Sequence, residues 1–189
     1  MKKSSIYCLV IVLVLVALTG CFCLCFGGCS YFKKYEYNRQ IKNEQSQIVD
    51  LVLDCMIRED EEGLYNMFSE VNKDNCDIRK QISLLFDNVP TEEFNTDRMV
   101  KHSDGGGTSY DDGLISKYSF GYRYEHITDA SGREYLITFG YMITDDKHKD
   151  RIGLECLKVL EINRNDPNDI SAYALVNEYT IGNLELYAS

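Results

Sequence analysis

The sequence predicts an α+β protein in which N-terminal helices pack on a curved antiparallel sheet, preceded by a lipoprotein signal or membrane segment. Three observations carry this. Apolar residues recur at helical spacing as far as Pro90. Beyond Pro90 the period falls to two, with long runs in which every second residue is aromatic or aliphatic. Ahead of both, an uncharged apolar run from Ile6 to Gly28 follows Lys2 and Lys3.

The leader comes first in the chain. Two lysines, then Leu9 to Ala17 as an apolar core, then small residues before a cysteine, is how an export signal is built. Two readings of the run stay open. In one, Leu18-Thr19-Gly20-Cys21 resembles the lipobox of bacterial lipoproteins, which implies that residues 1–20 are removed and the thiol of Cys21 carries the acyl chains. At about 0.8 kcal/mol per buried methylene, two chains hold a domain on a membrane where one exchanges off. In the other, the run stays as a helix about 34 Å long, enough to span a bilayer. Lys33 and Lys34 follow the run as Lys2 and Lys3 precede it, so charge gives no orientation for a spanning helix. Either way the rest of the chain sits at a membrane, and the lipidated form puts it on the extracytoplasmic face.

Removal of residues 1–20 leaves 169 of the 189 residues, one domain's worth, organised as a membrane-proximal tether over 21–40 and a single α+β domain over 41–189. Losing only two lysines moves the formal charge from -10 to -12. So acidic a chain repels nucleic acid, which is excluded as a partner, and only Lys33, Lys34, Arg39 and Lys42 favour anionic head groups. Of the eight cysteines, Cys21, Cys23, Cys25 and Cys29 crowd the membrane junction. Phe22, Leu24 and Phe26 lie between and beside them with no histidine near, which argues for membrane burial or a second acylation, such as palmitate, and against a metal. Cys55, Cys76 and Cys156 are scattered and are expected as thiols, with one disulfide possible.

The first helix is expected over about 35–58, its apolar positions being Ile41, Ile48, Leu51, Val52, Cys55 and Met56. Glu59 to Glu62 offer a cap and first-turn acids for a short second helix buried through Leu64, Met67 and Phe68. Ser69 to Lys73 reads as a connector. Asp74 or Asn75 then caps a helix whose face is Ile78, Ile82, Leu85 and Phe86, ended by Asn88-Val89-Pro90. A weak strand over Phe94 to His102 follows, with Ser103 to Thr108 as a glycine-rich turn. The second strand sets Tyr118, Phe120, Tyr122, Tyr124 and His126 on one face. After the Asp129-Ala130-Ser131-Gly132 turn, the third sets Tyr135, Ile137, Phe139, Tyr141 and Ile143 on one face. The fourth runs from about Arg151 to Asn163. Two short pieces, Ile170 to Val176 and Ile181 to Tyr187, close the chain, the second being the better strand candidate.

The block Leu51 to Asn88, with Arg58-Glu59-Asp60-Glu61-Glu62-Gly63-Leu64-Tyr65-Asn66-Met67-Phe68-Ser69, resembles an uncharacterised family of Gram-positive lipoproteins, as do the long strands and Arg151-Ile152-Gly153-Leu154. The resemblance covers about Ile48 to Asn163. It implies a lipobox leader and a cone-shaped domain similar to the nuclear transport factor two and cystatin-like folds. It implies no activity.

Folds of that type often enclose a pocket between helix and sheet. Tyr118, Phe120, Tyr122, Tyr124, His126, Tyr135, Phe139 and Tyr141 are the candidate lining, with hydroxyls to orient a ligand. The competing reading is a plain hydrophobic core. His126 is the one base that can be named in this stripe; beside the Asp129 turn it is expected at the rim. Gly105-Gly106-Gly107 lacks the lysine and helix of a phosphate loop, and Asn163, Asn165 and Asp169 lack the glycine and glutamate of a calcium loop. No cofactor and no catalytic motif are expected. The expected role is a membrane-anchored, non-enzymatic binding domain for a small molecule, peptide or envelope protein. The alternatives are a cone-fold enzyme (isomerase, dehydratase or hydrolase type) acting on an apolar substrate, and a purely structural envelope component.

Overall fold

A computed structural model of the chain describes residues 34–164 and 173–183. The leader, Cys21, the cysteines around it and the Asn165 to Asp169 loop lie outside the described residues. The chain divides into two compact units, Met1–Ile41 and Lys42–Ser189. In the first, the described residues are turns of helix. The second is an α+β unit with helices packed on a curved, open, five-stranded antiparallel sheet of order β1-β2-β3-β4-β5.

Helix α1 spans 34–57. Within the second unit it buries Val49, Val52, Leu53 and Met56, positions spaced i, i+3, i+4 and i+7. Leu51, expected in the buried stripe, is 48% exposed; the stripe turns on Val49 and Leu53 instead. Glu59 takes a left-handed conformation that ends the helix, and the next three helices each begin on a side-chain cap. Asp60 accepts from the Gly63 amide at 2.8 Å and starts α2, Glu61–Met67. Ser69 accepts from the Asn72 amide at 3.3 Å and starts α3, Glu70–Asn75. Asp77 accepts from the Lys80 amide at 3.3 Å and starts α4, Ile78–Asn88. The segment expected as a connector is therefore mostly helix, because Ser69 supplies a cap of its own. The cap of α4 is Asp77 rather than Asp74 or Asn75.

The first strand also differs from expectation. Phe94 is buried, and Asn95 makes only an isolated bridge to Thr128. Strand β1 is Val100–Asp111 and carries the three glycines inside it, as an irregularity between Ser103 and Gly106. The hairpin turn is Asp112-Gly113, both at positive φ, the conformation that two-residue hairpins favour. Strands β2 (Leu114–Thr128), β3 (Glu134–Asp145) and β4 (Gly153–Arg164) match the expected order. Strand β5 is a single stretch over Tyr173–Gly182 that takes in parts of both expected pieces, the rest of which lies outside the described residues. It pairs along β4 from Cys156↔Gly182 to Arg164↔Tyr173.

Helices and sheet are joined at the start of β4. Phe68 forms a bridge with Leu154, and the buried Asn72 side chain donates to the carbonyls of Leu154 at 3.0 Å and Glu155 at 2.7 Å. Gly153 sits at φ 131, and a Cβ there would stand 2.6 Å from the Ser69 nitrogen. Only glycine lets the two chains approach so closely.

Candidate functional site

The two faces of the sheet follow from register. Tyr118 donates to the Gln45 side chain at 2.6 Å and the Tyr124 hydroxyl donates to the Val49 carbonyl, so this row of β2 faces α1. Tyr122 pairs with Phe139 and Tyr124 with Ile137, extending the same face into β3. Tyr124 and Tyr135 are fully buried, Phe120 and Phe139 are buried, and Tyr118, Tyr122 and Tyr141 are half-buried. Burial pushes the phenols of Tyr118, Tyr124, Tyr135 and Tyr141 above their ordinary range, so they stay protonated. Phe120, Phe139, Tyr122 and Tyr124 form one ring cluster with centroids 5.4 to 6.0 Å apart. At Tyr135 the hydroxyl instead reaches Asp129 at 3.2 Å and the ring meets Phe94.

The alternate residues form the other face, and there the side chains run out. Gly121 pairs with Gly140, which pairs with Cys156, leaving two neighbouring strands without a Cβ. A groove of about 280 Å³ lies here, bordered by Phe120, Tyr122 and Phe139 of the predicted stripe. One wall is the irregularity of β1: a Cβ on Gly121 would lie 2.8 Å from the Asp104 carbonyl, so Asp104 crosses directly over it. Ser119 and Thr138 contribute hydroxyls, and Glu155, Cys156 and Lys158 come from β4.

Most charges in this groove are matched. Lys158 lies 3.2 Å from Glu178, and Asp104 lies 3.8 Å from Arg123. Glu155 is different: it is 9% exposed, and burial raises its carboxyl above the usual range against the weaker opposing pull of Lys117 and Arg151. Burial also drives the Cys156 thiol up to about 11, which makes it a poor nucleophile at neutral pH. Nothing in the sequence reading pointed to Glu155. The available signal was an acid set between two apolar residues, Leu154 and Cys156.

His126 departs from the tyrosine row. The register slips between Tyr124 and Ile127, and His126 sits at φ 62, a left-handed conformation costing about 1–3 kcal/mol in a non-glycine residue. Its Nδ1 lies 3.2 Å from Glu134 Oε1, and both residues line a separate cleft of about 430 Å³ with Asn95, Asp97, Arg98 and Thr128. A third cleft, of about 620 Å³ at the opposite end of the sheet, holds Lys117, Asp145, His148 and Arg151. Among the described residues, no cluster of three or more histidine, cysteine or acidic side chains is arranged to hold a metal, and no helix is long and apolar enough to cross a membrane. Cys55, Cys76 and Cys156 are free thiols.

The unit is thus an α+β domain of the helices-on-sheet class, with a small part-apolar groove on the face away from α1. The chain belongs to the family described as Domain of unknown function (DUF5104), which matches residues 51–164. That match takes in α2 to α4 and strands β1 to β4, and so every groove residue named above. No curated protein matches the sequence.

Proposed function

We propose that this chain is a lipoprotein of the cell surface, anchored through Cys21 on the extracytoplasmic side, whose domain binds a small molecule, peptide or envelope partner without chemical turnover. The leader and its lipobox support the anchoring, and the resemblance to a lipoprotein family with a cone-shaped, cystatin-like domain agrees with it. The observation that carries the binding role is the glycine-floored groove between Asp104 and Glu155, lined by apolar and a few polar residues. Anchoring is tested by the intact mass and membrane partition of the native protein beside Cys21→Ala. A mature chain starting at a diacylated Cys21, with processing lost in the variant, is the expected result; an unprocessed chain retained in the membrane in both overturns it. Binding is tested by titrating the full chain in nanodiscs with 2-phenylethanol and following amide resonances. Saturable shifts at Gly121, Thr138 and Gly140 are expected, and their absence at millimolar probe ends the groove reading.

A second reading, an enzyme acting on an apolar substrate, is favoured by the His126–Glu134 pair. Glu134 on Nδ1 fixes the imidazole orientation and leaves Nε2 to exchange a proton with a molecule in the cleft. Strain at a residue so placed is the usual mark of a functional constraint. Turnover of a model ester, abolished by His126→Gln and lowered by Glu134→Gln, would move the protein into this class.

A further inference from the structure

We infer that the groove selects ligands by a cationic amine head placed against the carboxylate of Glu155, with the apolar body lying over the Gly121–Gly140 floor; this rests on the groove being the binding site. Three observations converge. Glu155 is nine-tenths buried and lines the groove, yet among the described residues no hydrogen-bond donor or ion-pair partner reaches its side chain. Its own main chain is already committed, the Glu155 carbonyl accepting from Asn72 at 2.7 Å, so strand and residue are held in place while the side chain is left over. The other charged groups of the groove are already matched, Lys158 with Glu178 and Asp104 with Arg123. A ligand therefore meets one carboxylate with no directly bonded partner, offset only through space by Lys117 and Arg151.

The Glu155 carboxylate is largely shielded from water and open only toward the groove, and an ammonium on the ligand supplies the opposite charge that its surroundings do not bond to it. An anionic head would add a second negative charge beside the first. A neutral alcohol would recover a hydrogen bond but not the charge. The apolar side of the recognition comes from the floor, where Gly121 and Gly140 present no side chain and Phe120 and Phe139 are among the bordering residues. The fitting class is a small primary amine on an aromatic or aliphatic body.

The test compares 2-phenylethylamine, 2-phenylethanol and 3-phenylpropionate on the full chain in zwitterionic nanodiscs, read by shifts of the Gly121, Thr138 and Gly140 amides. The amine is expected to bind roughly tenfold or more tighter than the alcohol, as befits a charge-assisted bond over a neutral one, with the propionate weakest. Glu155→Gln keeps the shape of the groove and is expected to bring amine and alcohol to equal affinity. Thr138→Trp, which fills the groove, should abolish all three. Equal affinities in the native chain, or a preference that survives Glu155→Gln, overturns the amine assignment while leaving the groove as a site. Silence from all three probes, or binding unaffected by Thr138→Trp, overturns the groove and the assignment together.

Discussion

The Tyr124 hydroxyl donates to the main-chain carbonyl of Val49, tying the middle of β2 to α1 across 75 residues of sequence. The ring is fully buried against Tyr122 and Phe139, so the contact joins a packed aromatic cluster to a hydrogen bond that water cannot replace. Tyr124→Phe is expected to cost about 1 kcal/mol, and Tyr124→Ala about 3–5 kcal/mol through the cavity it leaves. Urea unfolding with an unchanged denaturant slope measures both; a neutral Tyr124→Phe would mean that the carbonyl is satisfied without the phenol.

Asn72 holds the helices to the sheet. Its amide donates to two carbonyls at the start of β4 and its Oδ1 accepts from the Asn183 amide at 3.0 Å. Asn72→Asp preserves size but removes both donors and faces a carboxylate toward two carbonyl oxygens. A loss of at least about 1–3 kcal/mol is expected in equilibrium unfolding, with the largest rise in amide exchange at Leu154 to Cys156.

Gly153 is the steric counterpart of that joint. At φ 131, with the Ser69 nitrogen and Met67 carbonyl within 2.6 and 2.8 Å of any Cβ, Gly153→Ala combines backbone strain with main-chain overlap. It is expected to be among the most damaging single changes in the domain, whereas Gly132→Ala, strained but in open space, should cost less. Thermal denaturation of the two variants side by side gives the ordering.

Acid should destabilise the domain through Asp129. Burial alone would raise its carboxyl, but the Ser131 hydroxyl, the Arg133 amide and the Arg133 guanidinium at 2.7 Å outweigh burial and hold it below the ordinary value of 3.8. A carboxylate depressed by folding contributes stability that is complete above its unfolded pKa and is lost as pH falls through the folded one. The Asp129 contribution should therefore be flat above about pH 5 and decline below about pH 4. Asp129→Asn should flatten this acid limb in a stability-against-pH profile; an unchanged limb would assign it to other carboxylates such as Asp145.

Thiol reactivity should follow burial. Burial raises the thiols of Cys55 and Cys156, the latter to about 11, while Cys76 is half-buried. Of these three thiols, alkylation of the native protein near pH 8, followed by peptide mass analysis, is expected to label Cys76 first and to reach Cys55 and Cys156 only on unfolding. Fast labelling of Cys156 would mean that the groove opens more widely than its geometry indicates.

The amino-acid sequence by itself determined the two halves of the fold, because the change of period from helical to alternating at Pro90 is a local property that needs no partner. It determined the order of strands β2 to β4, which neighbouring hairpins impose, and the row of aromatic residues that faces α1. Tertiary structure decided what locality cannot carry. Gly105 to Gly107 lie within a strand because Asp104 crosses Gly121, and the turn falls instead at Asp112-Gly113. A slip of register after Tyr124 takes His126 out of the tyrosine row and sets it beside Glu134, eight residues along the chain but on the next strand. The groove itself exists only because Gly121 and Gly140 come into register, and Glu155 stands out there only because its neighbours find partners and it does not. Register between strands creates both facts, and it is not a property of any one stretch of sequence.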